Sequence, residues 1–476
     1  MGIILTVMVL YLVACIAIGI FSRGRVKTED DFLAAGGKIG ILAGGSSLAA
    51  AQMSVGTSIG TVGFIYANGY NFSWIWPFIW VAWGINAFWI GPKLKNFYVK
   101  TGALTVPDFV GARFESDFAR TVTALILLVA FSLTIMAELI GIGTIFSVAL
   151  NIPPMYTITV CAVVFIIYTI GGGLFSVIYT SLFQMCIFLV GFVSAAVIAV
   201  NAAGGLIQMN TQLAAIDASL IGQGMPVSNV IAGGLSFGFM MIGYPLIAVR
   251  FYAIKDKKAI RDSCGIAIVL QAVIATCVCL MGVSARVLFP DMLSPDHATA
   301  TIAINLLPAV LGGLLLAAVL ASSQSTASGV LLMVSSAVSY DIVKSRFRPN
   351  MTDEEVLKMS RIILVIIGLV CIPLTQLELP LIQQIWIDAA SIIGSTFAMP
   401  TLLGVIWKRP NRLGGTLSII FGFVCSTGWM LLGNPYGVSC IYLGVVGSLV
   451  GLLIGTFSSP PPSEETIKLF FEEAEA

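Results

Sequence analysis

Five hydroxyl side chains and an amide fall within eight residues of an otherwise apolar stretch, Ala321-Ser-Ser-Gln-Ser-Thr-Ala-Ser328. One or two hydroxyls in such a setting bond back to their own helix. A cluster this dense is costly in lipid unless the oxygens meet partners. It suits a hard cation such as sodium, which takes several oxygens from hydroxyls and carbonyls. A second unusual stretch, Ala43 to Gly63, is built mostly of small and hydroxyl residues, with Gln52 near its middle. Small residues permit close helix packing, and they equally suit a discontinuous helix whose unwound backbone lines a polar site. The stretch Gly233 to Pro245 repeats the theme, its Gly and Pro freeing carbonyls from the helix ladder. Two acids, Glu138 and Asp388, lie well inside apolar segments, where ionisable groups are functional candidates by default. For Asp388, which follows Gln383, Gln384 and Trp386, a structural hydrogen bond to another helix is an equal alternative. For Glu138 the structural role is the favoured one.

These residues must be positioned by helices in a membrane. The chain is 58% apolar and 10% charged, with mean hydropathy +1.00, where a soluble chain would carry about a quarter charged residues. Its surface must therefore face lipid. Thirteen apolar segments are long enough to be spans or parts of spans: 2–21, 40–66, 73–90, 121–150, 156–170, 175–200, 229–249, 264–287, 307–340, 362–373, 380–407, 415–432 and 440–457. The fifth and tenth are short. The first lacks a preceding basic residue and a small-residue cleavage site, so it reads as a spanning helix and not as a signal peptide. Of the 24 Lys and Arg residues, 23 fall in odd-numbered connections or the C-terminal tail, Arg286 being the exception. By the positive-inside rule the protein is multi-pass in a cell membrane, with its N-terminus outside and its C-terminus in the cytoplasm. The tail after Ser458 is short and acidic, and reads as a surface helix.

Broken second and seventh segments, five apart, predict two inverted repeats of five spans. The expected division is 1–39 for the first helix and its loop, 40–201 for the first repeat, 202–407 for the second, and 408–476 for two C-terminal helices and the tail. The net charge of +1 gives no indication of a nucleic-acid partner. None of the nine Cys has metal-ligand spacing, and His297 is the only His. With no nucleophile placed beside a base, an enzyme is not expected. A channel is disfavoured because no charged rings or symmetric pore elements occur.

The chain resembles the sodium:solute symporter family, which includes sodium/proline, sodium/galactose and sialic acid carriers. Four stretches carry the resemblance: Ala50-Ala-Gln-Met-Ser54; Tyr168-Thr-Ile-Gly-Gly-Gly173 with Tyr179-Thr-Ser-Leu-Phe-Gln184; Gly243-Tyr-Pro245 leading to Arg250-Phe251; and Ser325-Thr326. The segment from Gly394 to Lys408 fits as well, and together these cover nearly the whole chain. The resemblance implies an all-α protein of about thirteen transmembrane helices with a LeuT-like core and two broken helices. It also implies a sodium site made by carbonyls of Ala50, Met53 and Ser322 and hydroxyls of Ser325 and Thr326. Where the family has an Asp for a second sodium this chain has Ser181, which implies one coupling ion. Tyr244 replaces the family's Gln before Pro, Gly56 and Thr57 replace the sugar carriers' polar residues, and Met241 stands near the proline carriers' aromatic contact. Sugars and proline are therefore disfavoured. The expected function is sodium-coupled symport of a small solute, an amino acid or related amine or carboxylate, contacting Gln52, Thr57, Phe237, Met241 and Asp388. A monomer is compatible with the sequence. The alternative is proton coupling through Asp388 or Glu138.

Overall fold

The computed structural model describes residues 2–23, 28–150, 152–222, 224–375 and 382–472. Arg25, Lys27, the first two residues of the eleventh apolar segment, the last four of the acidic tail, and the side chains of Arg23 and Tyr168 lie outside the described residues. The elements that matter here are α1 (Gly2–Arg23), α2 (Ile41–Gln52), α3 (Val62–Asn68), α4 (Trp76–Ile85), α5 (Gly91–Thr101), α6 (Val106–Arg113), α7 (Asp117–Leu150) and α8 (Pro154–Ala202). They continue as α9 (Val227–Gly243), α10 (Pro245–Ala253), α11 (Lys257–Leu288), α12 (Ala309–Ser336), α13 (Asp353–Leu374) and α14 (Ile382–Ile406). The last three are α15 (Arg412–Leu431), α16 (Cys440–Ser458) and α17 (Glu464–Phe471). Among the described residues the only β pairing is an isolated bridge between Ile39 and Ile254.

Ten of the described helices are long and apolar enough to cross a membrane, or eleven when one bent pair counts as a single span. The thirteen apolar segments of the sequence all fall on helix, and the lower count has two causes. Only a sharp turn separates the second and third segments: α3 ends at Gly69, with φ 65° and ψ −151°, and a 3-10 turn, Gly69–Ile75, leads into α4, so a count by helix length takes the two together. The fifth corresponds to a shorter apolar stretch, Pro154–Ile167. Gly173, with φ 51° and ψ −148°, ends that stretch and starts a full span, Gly173–Ala202. A left-handed φ suits glycine. A Cβ there would also lie 2.5 Å from Phe32, so the kink is set by both backbone and packing.

Burial follows the order expected of helices in lipid. Leu10, Val81, Val160, Val197, Val269 and Ile366 are exposed large apolar side chains on the outer surface, where hydrocarbon would meet them. The hydroxyl-rich part of α12 is the reverse: every residue from Ser322 to Ser328 is buried. Its polar groups are tolerated because they face other helices and not lipid.

At the basic end of the molecule, Arg120 at the start of α7 lies between two carboxylates. It forms an ion pair with Asp108 of α6, and its Nε and Nη2 donate to Asp341 Oδ1 at 3.0 and 2.9 Å. Thr105 Oγ1 donates to the same oxygen at 2.8 Å. Burial raises the Asp108 pKa, opposed by the Arg120 charge. This cluster ties α6 and α7 to the helical extension of α12. Arg120→Met leaves two largely buried carboxylates facing each other, and such losses cost about 3–5 kcal/mol. The detergent-solubilised variant is expected to unfold at a clearly lower temperature, and Asp341→Asn in the same background to recover part of the loss; an unchanged midpoint would dismiss the cluster as a clamp.

Candidate cation site and adjoining cavity

α2 stops at Gln52 because Met53 turns to extended backbone, with φ −73° and ψ 106°. Helix resumes at Val55 and runs through a wide turn, Gly56–Thr61, into α3. The two halves meet at 61°. α9 ends in nearly the same way: Tyr244 has φ −72° and ψ 109°, and Pro245 starts α10. Pro cannot donate to the ladder and fixes the restart. Gly243 makes the second break compact, since a Cβ there would lie 2.4 Å from the backbone nitrogen of Ala398 in α14.

The first break brings together the five residues expected to hold sodium. Ser325 Oγ lies 3.0 Å from Ala50 O, 3.5 Å from Met53 O and 2.9 Å from Ser322 O. Thr326 Oγ1 lies 3.2 Å from Met53 O. A hydroxyl carries one hydrogen, so Ser325 satisfies one of its three carbonyl neighbours at a time. The cluster has an excess of lone pairs over protons, all from neutral oxygens. This is the donor set a hard monovalent cation requires, and the residues present fit such an ion. Ser58 Oγ, 2.7 Å from Ser322 Oγ, and Thr299 Oγ1, which donates to Ser58 O at 2.8 Å, continue the polar seam.

Glu138 on α7 is wholly buried beside the same break. Its Oε2 accepts from Val55 N at 3.2 Å, and its backbone carbonyl accepts from Ser323 Oγ at 3.3 Å. The carboxyl oxygen therefore caps the first free N–H of the resumed helix. This matches the structural role. Where the family has its second-sodium Asp, Ser181 Oγ donates to Val177 O of its own helix at 2.6 Å, and Thr180 behaves alike.

Beside the candidate cation site a small cavity of about 20 Å³ lies between the first break, α4, α9 and α14. Its polar lining is Gln52, Ser54, Thr57, Thr61 and Gln383; its apolar lining is Ile75, Trp76, Ile79, Phe237, Met240 and Trp386. Of the expected solute contacts, Gln52, Thr57 and Phe237 are here. Met241 and Asp388 are not. Met240 takes the cavity-facing position, whereas Met241 is fully buried and offers its carbonyl to Asn86 Nδ2 at 2.9 Å. Asp388 is two residues from Trp386, about 200° around a helix. It lines a different cavity with Gln384, Asn229 and Asn434, and accepts from Gln384 Nε2 at 3.0 Å. Trp76, Met240 and Trp386 are lining residues that pattern reading missed. Within apolar runs, an aromatic or Met carries no signal of which face it occupies.

A family model described as the sodium:solute symporter family matches residues 32–422. The chain belongs to the sodium:solute symporter family. Similar members include the osmoregulated proline transporter OpuE of Bacillus subtilis, 26% identical over 97% of this chain and 96% of that protein. The sodium/pantothenate symporter of Escherichia coli is 27% identical over 94% and 95%. Among solved structures, a Na+-coupled sialic acid symporter in a substrate-bound outward-open state has a TM-score of 0.81 at 21% identity, covering 96% of this chain and 98% of that one. A transporter of the nucleobase-cation-symport-1 family has a TM-score of 0.61 at 14% identity, covering 92% and 97%. The symporter is thus a multi-pass, all-helical transporter of LeuT-like fold, and not an enzyme.

Two variants separate roles at the break. Glu138→Ala leaves Val55 N–H buried without an acceptor, a loss of about 1–3 kcal/mol. Glu138→Gln keeps an acceptor oxygen and is expected to retain most of the stability. Equal loss in both, read by detergent unfolding, would rule out the capping role.

Proposed function

We propose that this symporter carries one sodium ion at Ala50, Met53, Ser322, Ser325 and Thr326, and that the ion drives inward movement of a small organic solute held in the adjoining cavity. The observation that supports this best is the convergence of carbonyls from a broken helix with hydroxyls from α12. Sodium there joins the break in α2–α3 to α12. Gln52, which lines the solute cavity, lies between the ligands Ala50 and Met53 in the chain. Filling one site therefore orders the other, and each ligand tightens its partner by the same factor. Alternating access then proceeds by movement of one repeat against the other around a midplane site, with repeats 40–201 and 202–407.

The single-ion stoichiometry rests on Ser181, which bonds to its own helix and brings no charge. The solute contacts proposed are Gln52, Thr57 and Phe237, joined by Trp76, Met240 and Trp386. The charge pattern supports a cell-membrane orientation with the N-terminus outside and the C-terminus in the cytoplasm.

Sodium that binds only the folded protein raises its stability by RT ln(1 + [L]/Kd), about 2.7 kcal/mol at a hundredfold excess over Kd. Purified wild type is expected to melt higher in sodium chloride than in choline chloride, and Thr326→Ala to lose that difference. If wild type shows no sodium dependence but shifts with pH, the coupling ion is a proton and the sodium reading fails.

A further inference from the structure

The cavity that faces the sodium site is short of charge but rich in hydrogen-bond donors. No Asp, Glu, Lys, Arg or His lines it. Trp76 and Trp386 do, at 5% and 3% exposure, and the Nε1–H of each has no hydrogen-bond partner in the structure. An indole nitrogen can only donate, and a buried donor left unpaired is destabilising. Trp83, on α4 with Trp76, shows the contrast: its Nε1 donates to Gln271 Oε1 at 2.8 Å and reaches Gln52 Oε1 at 3.3 Å. Trp386 is held with its pyrrole edge against the first break, since a Cβ on Gly56 would lie 2.6 Å from both Cδ1 and Cγ of the indole. Ile75, Ile79, Phe237 and Met240 supply an apolar wall.

We infer that the solute is a small organic monocarboxylate whose carboxylate oxygens accept from the indole N–H groups of Trp76 and Trp386 and whose body packs on the apolar wall. The inference rests on the symport reading above and narrows it to a chemical class. A carboxylate is acceptor-only and matches unpaired donors, whereas an ammonium is donor-only and would leave the indoles unpaired. The solute's counter-charge is the sodium ion one turn away, so ion and solute enter as a neutral pair and an amino group adds nothing. At about 20 Å³ the cavity is closed down to roughly the room of one water, so the lining must part to admit the solute.

The test uses the full-length protein in detergent, in sodium chloride and in choline chloride. The probes are monocarboxylates from propionate to hexanoate, isobutyrate included, with isobutyramide, isobutylamine and galactose. At least one acid is expected to stabilise the wild type in sodium only, with the amide and amine at least tenfold weaker. Trp76→Phe and Trp386→Phe keep a ring but lose the N–H, and each is expected to weaken acid binding about tenfold or more, since a hydrogen bond to a charged group is lost. Both variants should keep the sodium shift, which also shows that they are folded. In wild type labelled with 15N at the indole nitrogens, the Trp76 and Trp386 resonances should move on adding the acid. A sodium shift with no acid bound, with amine or sugar preferred, or with acid bound equally by both variants, overturns the carboxylate assignment and leaves symport standing. No sodium shift in wild type takes down the symport reading itself.

Discussion

The structure depends on a helix that is not allowed to finish. At Met53 the chain leaves the helical ladder, and carbonyls that an intact helix would have consumed point at α12 instead. Such a break is expensive in a membrane, where no water compensates a lost backbone bond. Here both sides of it are met: hydroxyls of Ser325 and Thr326 reach the outgoing carbonyls, and the Glu138 carboxylate takes the first incoming N–H. α7 and α12 thus meet the break from two directions. Their mutual contact through Ser323 and the Glu138 carbonyl keeps those directions fixed.

The solute cavity inherits its shape from this break. Gln52, Ser54, Gly56 and Thr57 face it only because the helix unwinds between them and then widens. Gly56 lets the Trp386 indole lie on the backbone, and that contact sets the cavity wall. On the proposed function, ion binding and solute recognition are two uses of one backbone irregularity, and coupling needs no long-range pathway.

Much of this was legible in the residues. Hydroxyl density in 321–328 and small-residue density in 43–63 mark both halves of the candidate cation site, because lipid penalises such groups so heavily that their presence needs a reason. The second break at Tyr244-Pro245 was legible from its Gly and Pro, which free carbonyls from the helix ladder. What could not be read was rotation about helix axes. Met240 and Met241 are equivalent as letters, and only the approach of Asn86 to the Met241 carbonyl decides which faces the cavity. Asp388 drew attention as a buried charge, yet its place on α14 puts it in a separate cavity. The second and third apolar segments read as separate spans, and Gly69, with φ 65° and ψ −151°, parts them, though only a 3-10 turn lies between.

The attachment of α1 has a consequence for biogenesis. Tyr11 donates its hydroxyl to Gln324 Oε1 at 2.5 Å and accepts from Gln184 Nε2 at 3.0 Å, partners 313 and 173 residues further along the chain. α1 leaves the ribosome before α8 and α12, and both amides are still unsynthesised when it enters the bilayer. Its tyrosine hydroxyl must then rely on temporary acceptors, such as its own helix carbonyls or the insertion machinery. Docking of α1 is in this sense a closing step of assembly, which can begin only once α8 and α12 are in place. A helix translated ahead of its partners must wait for them before it reaches its final neighbours.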